Sequence, residues 1–510
     1  MKAGLPDSHG LSATILASPL VHQVDGQPHF TDVQYEALSG GVARGQSILA
    51  VAPTSSGKTE VGYYGAASWL ERSLSQGGRV VFLTSHKALA RQKFAEIVKL
   101  FAPIFQLDNS EVVLATGDAV LDANGDVPVS AFTATVLVVT YEKYLNMLAG
   151  TGLDASLAQV CCVADEIQII GDKSRGQNVE ILLTLLRDNV GQIIGLSAVL
   201  EARFAGLLSD WLRASLIVTH DREVELIYEL RTAQNTLTTS TRAQAMPEVG
   251  PVQHRRTVEV LAELLADLSR PHEPIAVFCM TKKEVFDLSE RWKNYAQSLG
   301  YQSTQMTPVS FRENTGSAAE LSQYLPQGFA YHTADLNEDE RYAVETRLEN
   351  DSLRVVFATT TLASGLNYSF RTVVIHSWKR WDSRTRDRLP ISRNEFHNMA
   401  GRAGRLSHVD TAGRAIFFAD NPRDVRQGSQ YLSWWELDEF APRIRPDDFT
   451  SLSLQLLSSN VADDEESLAR FLQKTFSAER EMEINQNQPE VWRDAVSKSV
   501  EALKAWRFVK

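Results

Sequence analysis

The densest chemistry in the chain sits in the run Ala52-Pro53-Thr54-Ser55-Ser56-Gly57-Lys58-Thr59. It follows a short apolar stretch and precedes a segment of helical period beginning near Glu60, the pattern of strand, loop and helix. Such a loop aims consecutive backbone N–H groups and a helix N-terminus at one point, which suits an anion. Thr54, Ser55, Ser56 and Gly57 would cradle the phosphates of a nucleoside triphosphate. Lys58 would reach the β and γ phosphates, and the Thr59 hydroxyl would ligate Mg2+. Ala52 stands where the first glycine of this loop type usually is. The chemistry also needs a second metal-holding carboxylate and a base for water, and Val160-Cys161-Cys162-Val163-Ala164-Asp165-Glu166 supplies both at the end of an apolar strand. At the C-terminal edge of a parallel sheet, Asp165 would face the metal and Glu166 would polarise the attacking water.

Groups so far apart in sequence need a frame to bring them together. Short β-rich apolar runs alternate with longer stretches of helical period, the signature of a parallel sheet wound with helices. Expected strands cover 47–52, 79–84, 111–115, 135–140, 160–165 and 192–197, with helices such as 87–101 and 179–187 between them. The grammar repeats at 275–279, 329–332, 353–358, 372–376 and 414–418. The fold class is α/β, in two tandem domains. The polar stretch 232–254, with Pro247, Gly250 and Pro251 near its end, reads as a linker. After Asp420 the pattern turns helical, over 449–457, 467–476 and 490–506. The expected organisation is an N-terminal segment 1–29, a first domain 30–231, the linker 232–254, a second domain 255–425 and a tail 426–510.

With 510 residues, 44% hydrophobic and 22% charged, the chain is long enough for two or three cores and too ordinary for disorder or fibrous repeats. No apolar run approaches a membrane span and the first residues lack a secretory pattern, so a cytoplasmic protein with no membrane partner is expected. The three cysteines, Cys161, Cys162 and Cys279, have neither metal-ligand spacing nor an even count, and read as reduced, buried strand residues. The formal charge of -12 argues on its face against a nucleic-acid partner. It is unevenly spread. Residues 431–510 hold 15 acidic against 10 basic side chains, whereas 379–393 hold six basic against two acidic, with Trp378 and Trp381 alongside.

Further motifs appear in order along the chain: Thr84-Ser85-His86-Lys87-Ala88-Leu89, Thr116-Gly117-Asp118, Thr140-Tyr141-Glu142-Lys143, Leu196-Ser197-Ala198, and Phe278 with Thr281-Lys282. Tyr331-His332-Thr333-Ala334-Asp335-Leu336 comes next, then Ala358-Thr359-Thr360-Thr361-Leu362-Ala363-Ser364-Gly365-Leu366-Asn367 and Met399-Ala400-Gly401-Arg402-Ala403-Gly404-Arg405. With 52–59 and Asp165-Glu166-Ile167-Gln168, this set resembles motifs I to VI of superfamily 2 helicases of the DExH type. The wording is most similar to the superkiller-like group of archaeal repair and RNA-exosome helicases. Three positions depart from that pattern. Gln168 replaces a frequent His, Asn398 replaces the Gln that opens motif VI, and Val199 replaces a Thr in motif III.

The resemblance implies two tandem RecA-like domains that use ATP and Mg2+, the metal held by Thr59 and Asp165. Lys58, Asp165, Glu166 and Gln168 would act from the first domain and the arginine fingers Arg402 and Arg405 from the second. Gln168 would hydrogen-bond across to the second domain. Gln34, in Phe30-Thr31-Asp32-Val33-Gln34, would select adenine, and Gly365 and Asn367 would lie by the ribose and phosphates. Candidate donors to a strand are Ser85, Lys87, Thr116, Thr140, Thr281, Lys282 and Thr361, through phosphate and sugar contacts that carry little sequence information.

In related helicases the interval 379–393 forms a hairpin that splits the duplex, so this segment, with Trp381 and Arg384, is expected to be a separation wedge or a duplex-docking loop whose aromatic and guanidinium faces can stack on splayed bases. The tail resembles a winged-helix domain, and family members usually continue into a helical ratchet. Two readings are open. One is a helicase or translocase moving 3′ to 5′ on single-stranded or forked nucleic acid, DNA ahead of RNA. The other is a nucleic-acid-sensing ATPase subunit of a larger defence or repair complex, with a protein partner supplying the ratchet or a nuclease.

Overall fold

The computed structural model describes residues 2–53, 56–151, 155–198, 200–219, 222, 224–266, 274–299, 309–360, 362, 368, 370–404, 412–439, 443–485 and 489–509. The chain divides into two compact units. One comprises Met1–Ala52, Ser56–His220 and Glu439–Lys510, and the other is essentially Asp221–Asp438.

The main sheet of unit one has eight strands: β1 (Ile48–Val51), β2 (Arg79–Thr84), β3 (Val112–Ala115), β4 (Val120–Asp122), β5 (Val136–Thr140), β6 (Val160–Ala164), β7 (Gln192–Ser197) and β8 (Ser215–Val218). They lie in the order β8-β1-β7-β6-β2-β5-β3-β4, parallel except for β4. Runs such as Val160-Cys161-Cys162-Val163-Ala164 are buried at every residue, because helices cover both faces and no polar alternation is needed. Alternation survives in which face each side chain serves. Cys161 joins one core with Tyr63, Phe82 and Phe101, and Cys162 joins the other with Tyr141, Ile181 and Leu185. All three cysteines are free and buried, as expected.

The helices that matter to the site are α1 (Asp32–Ser39), α2 (Lys58–Ser73), α3 (Lys87–Phe105), α4 (Tyr141–Thr151), α5 (Gly176–Arg187) and α6 (Ala202–Leu212). Parallel strands with helical crossovers put the loops after β1, β2, β5 and β6 on one edge, where a ligand meets this fold.

Unit two begins with β9 (Leu226–Arg231), β10 (Thr236–Ser240), β11 (Ala243–Gly250), α7 (Thr257–Leu265), β12 (Ile275–Cys279) and α8 (Lys282–Ser298). It continues with α9 (Gly316–Tyr324), β13 (Phe329–His332), α10 (Glu338–Glu349), β14 (Val355–Thr359) and β15 (Thr372–Ile375). The hairpin strands β16 (Lys379–Asp382) and β17 (Asp387–Pro390), α11 (Arg393–Ala400), β18 (Gly413–Phe418) and α12 (Pro422–Gly428) complete it. Its main sheet runs β11-β10-β9-β18-β15-β12-β14-β13. The expected linker at 232–254 is a correction. Residues 236–250 form an antiparallel extension of this sheet, paired from Ile227↔Ser240 to Thr236↔Gly250. Its Thr-rich, polar composition is that of strands with one wet face, which a search for apolar runs misses.

The last helices, α13 (Phe449–Ser458), α14 (Glu465–Gln473), α15 (Phe476–Asn485) and α16 (Pro489–Ala505), belong to unit one. Ile444, Phe449, Leu452, Leu456, Leu468, Leu472, Trp492 and Val496 share a core with Trp211, Ile181 and Tyr141. The expected separate tail at 426–510 therefore divides at Glu439, and the residues from Glu439 onward complete unit one. Among the described residues this region is helical throughout, without strands for a wing.

Candidate nucleotide and strand site

Gly57 caps the N-terminus of α2 at φ 82°, in the left-handed region that favours glycine. A Cβ there would lie 2.3 Å from Gln34 Nε2, so a side chain would have to displace that amide as well as adopt the left-handed backbone. Gln34 sits on α1, where its Oε1 accepts from the Thr31 N–H at 3.0 Å and its Nε2 donates to the Gly57 carbonyl at 3.1 Å. The amide expected to read adenine thus ties α1 to the loop before α2. Lys58 Nζ donates to the Ala52 carbonyl at 2.7 Å, which folds the ammonium back over the loop. Ser56 is buried and its Oγ has no hydrogen-bond partner among the described residues, a cost of about 1–3 kcal/mol that a phosphate oxygen would relieve. Thr59 lies in the first turn of α2, half-buried. Thr54 and Ser55 lie outside the described residues.

The paired carboxylates follow β6. Asp165 Oδ1 accepts the Glu166 N–H at 3.0 Å, and the Tyr141 hydroxyl donates to the Asp165 carbonyl at 2.9 Å. Glu166 stands at φ 52°, a left-handed conformation costing a non-glycine residue on the order of 1 kcal/mol or more. Gln168 makes its described hydrogen bonds within unit one. Its Nε2 donates to Glu166 Oε2, while its Oε1 accepts from Ser197 Oγ at 2.9 Å and the Ala198 N–H at 3.2 Å. Both ends of the amide are engaged inside unit one, linking Glu166 to the end of β7.

Lys93 escaped the sequence reading. It lies on α3, only 5% exposed, with Nζ 3.2 Å from the Tyr63 hydroxyl and 4.9 Å from the Tyr63 ring centre. Glu96 Oε2 is 3.9 Å away and Asp165 Oδ2 3.8 Å away. The available signal was helical spacing, because Leu89, Ala90, Lys93, Ile97 and Phe101 share the buried face of α3. A buried ammonium requires paired anions, and here they include Asp165. Glu60, nearby on α2, has its carboxyl pushed up by burial, with Lys93 opposing the shift.

These residues fit Mg2+ with a nucleotide. Among the described residues no cluster of three or more His, Cys, Asp or Glu side chains could hold a metal by itself. Mg2+ characteristically takes one or two protein groups and fills its shell with phosphates and water, which is what Thr59 and Asp165 would leave room for.

In unit two, Arg402 is buried at the end of α11, in a turn where its carbonyl accepts the Phe370 N–H at 2.8 Å. Arg222 braces that turn by donating to the carbonyls of Gly401 at 3.1 Å and Ala403 at 2.9 Å. Gly404 follows at φ 91°. His397, on the same helix, contacts the Tyr228 hydroxyl, and burial pushes its imidazole down to about 3, so it is neutral. Arg405, Thr361, Gly365 and Asn367 lie outside the described residues.

The expected strand donors separate into three kinds. Ser85, Thr116 and Thr140 are buried, with Ser85 Oγ 2.8 Å from His86 Nδ1 and Thr116 Oγ1 accepting the Ala119 N–H at 3.3 Å. Thr281 caps α8 by accepting the Glu284 N–H at 3.1 Å. Lys87 and Lys282 are half-exposed, each bound to an aspartate. Trp381 is 61% exposed on β16, and Arg384 lies in the turn to β17. Asp382 shapes that turn by accepting the Thr385 N–H at 2.7 Å, while Trp378 is buried and donates to the Phe418 carbonyl.

Residues 31–206 match the family described as DEAD/DEAH box helicase, and residues 256–407 match the helicase conserved C-terminal domain. The chain is similar to ATP-dependent DNA helicase Hel308 of Methanocella arvoryzae, 29% identical over 411 residues, 78% of this chain and 52% of that relative. Hel308 of Pyrococcus abyssi is 28% identical over 455 residues, 87% and 58% of the two chains. Hel308 of Pyrococcus horikoshii is 30% identical over 408 residues, 78% and 52%. The chain spans between half and three-fifths of the length of these relatives.

Proposed function

From a chain that carries the paired domains of a superfamily 2 helicase, we propose an ATP-dependent helicase or translocase that moves 3′ to 5′ on single-stranded DNA. We assign it to the DExH, superkiller-like type. The Hel308 relatives are DNA helicases by description, which favours DNA over RNA.

The observation that carries this reading is the Gln168 bridge, which joins Glu166 to Ser197 and Ala198. A plain phosphohydrolase has no need to tie its water-polarising carboxylate to a neighbouring strand end. An enzyme that converts hydrolysis into movement does.

Mg2+ bound with ATP would neutralise phosphate charge, and Thr59 and Asp165 are the groups that would hold it. Lys58 would exchange the Ala52 carbonyl for the β and γ phosphates. Glu166 would orient the attacking water and accept its proton, held in aim by Gln168. Arg402 and Arg405 would stabilise charge on the transferred phosphoryl group.

Lys58→Ala or Glu166→Gln should lower strand-stimulated ATP turnover by roughly a hundredfold or more. Glu166→Gln should still bind ATP. The wild-type chain should hydrolyse ATP faster with single-stranded DNA present and separate a forked duplex with a 3′ tail. Strand-stimulated turnover without separation or displacement would favour the sensing-subunit reading instead, and turnover indifferent to DNA and RNA would refute both.

A further inference from the structure

Lys87 and Lys282 occupy equivalent places in two separately folded sheets. Lys87 is the first residue of α3, after β2, and Lys282 the first of α8, after β12. Each pairs with an aspartate two strands along its own sheet. Asp118 follows β3 in the row β2-β5-β3, and Asp335 follows β13 in the row β12-β14-β13. The same exposed ion pair has been built twice, at the loop edge where each unit's strand-binding motifs lie.

The placement is costly for stability alone. A lysine in the first helical turn opposes the helix dipole, and an exposed pair contributes only about 0.2–1 kcal/mol. Lys87 also lies across its neighbouring motif, since a Cβ on Gly117 would meet Lys87 Cε at 3.3 Å and Nζ at 3.5 Å. The ammonium is thus laid over the backbone of Thr116-Gly117-Asp118 and held there by Asp118, whose carboxyl the Lys87 hydrogen bond keeps below the usual range.

We propose that Asp118 and Asp335 are internal phosphate surrogates. Each occupies, in the resting chain, the lysine that would grip a phosphodiester, so strand binding is an exchange of carboxylate for phosphate. The two aspartates thereby set resting affinity and its dependence on salt. This rests on the strand-binding reading of Lys87 and Lys282.

The test is a cycle of variants on the full chain, read by fluorescence anisotropy with labelled single-stranded DNA across a salt series. Asp118→Asn and Asp335→Asn should each tighten binding about two- to fivefold. Each should also steepen the dependence of log affinity on log salt, by up to about 0.7 per released lysine. Lys87→Ala and Lys282→Ala should weaken binding. The gain from Asp118→Asn should vanish in the Lys87→Ala background, and likewise for Asp335→Asn in Lys282→Ala.

If the lysine variants leave affinity unchanged, the strand-binding reading of these residues is what fails. If they weaken binding but the asparagine variants do not tighten it, or tighten it equally without the lysine, the surrogate role is overturned. These side chains are all about half-exposed or more, so the variants should fold, and unchanged melting temperatures confirm that control.

Discussion

Gln168 has three hydrogen-bonding contacts, one on Glu166 and two on the end of β7 and the residue after it. An amide donates at one end and accepts at the other, so it can bridge a carboxylate to a hydroxyl and an N–H without any change of charge. Gln168→Leu keeps the bulk and removes the bridge. It should cut the ATPase rate roughly ten- to a hundredfold through misaim of Glu166. Nucleotide affinity should stay within about twofold, as checked by steady-state turnover beside fluorescent-nucleotide binding. An unchanged rate would show that Glu166 needs no such support. Lys93 offers a second case. Lys93→Met removes the buried ammonium that Asp165 and Glu96 face and leaves the Tyr63 hydroxyl without that partner, a loss of about 1–3 kcal/mol visible as a lower melting temperature, whereas Lys93→Arg should recover part of it. The sequence displayed Gln168 but not its partners, because a residue name gives hydrogen-bonding capacity and the fold supplies the address. Lys93 was hidden for the converse reason. Its spacing said buried, its charge said solvated, and only the surrounding anions reconcile the two.

At the scale of elements, the strands with continuous apolar runs were legible almost residue for residue, as at Arg79–Thr84, Gln192–Ser197 and Ile275–Cys279. Burial on both faces leaves a composition that nothing else in the chain imitates. Thr236–Ser240 and Ala243–Gly250 were illegible because an antiparallel pair near a sheet edge needs only half its side chains apolar. The hairpin Lys379–Asp382 with Asp387–Pro390 stands between these extremes. Its basic charge was visible, while its turn depends on Asp382 reaching Thr385 and on Arg386 at φ 53°. Trp381 and Arg384 are both exposed on this hairpin. Replacing both with Ala should slow forked-duplex separation by roughly five- to a hundredfold, given about 1–3 kcal/mol per stacked base. Strand-stimulated ATP turnover should stay within about twofold. Equal loss of both activities would mean that the hairpin docks the strand and does not part it.

Across the whole molecule, the join that composition conceals is the return of the chain to unit one after Glu439. Glu180 on α5 is central to it, accepting the Ser477 N–H at 2.6 Å and Ser477 Oγ at 2.7 Å. Around it, Arg443 donates to the Gly171 carbonyl at 2.8 Å, Trp211 Nε1 donates to the Lys474 carbonyl at 2.9 Å, and Phe476 packs edge-on to Phe204. Burial pushes the Glu180 carboxyl up to about 7, against an unfolded value of 4.5. The native state therefore holds this proton more tightly than the unfolded chain does. The stability it contributes is full below about 4.5 and is lost as pH rises toward about 7, a swing of about 3 kcal/mol. Glu180→Gln mimics the protonated side chain. Melting temperatures across that range should show the wild type losing ground to Glu180→Gln as pH rises, and a constant gap would refute the assignment.

The same return has a consequence for how the protein is made. Most of unit one leaves the ribosome first, yet the residues that fill one face of its core, from Ile444 through Val500, are translated after all of β9 to β18. Unit two, whose sheet is complete by Phe418, has every strand it needs while its predecessor still lacks a wall. Leu182, Phe204, Trp211 and their neighbours must wait with apolar surface uncovered until the final helices emerge, which makes that interval the one in which a nascent chain most needs protection from aggregation.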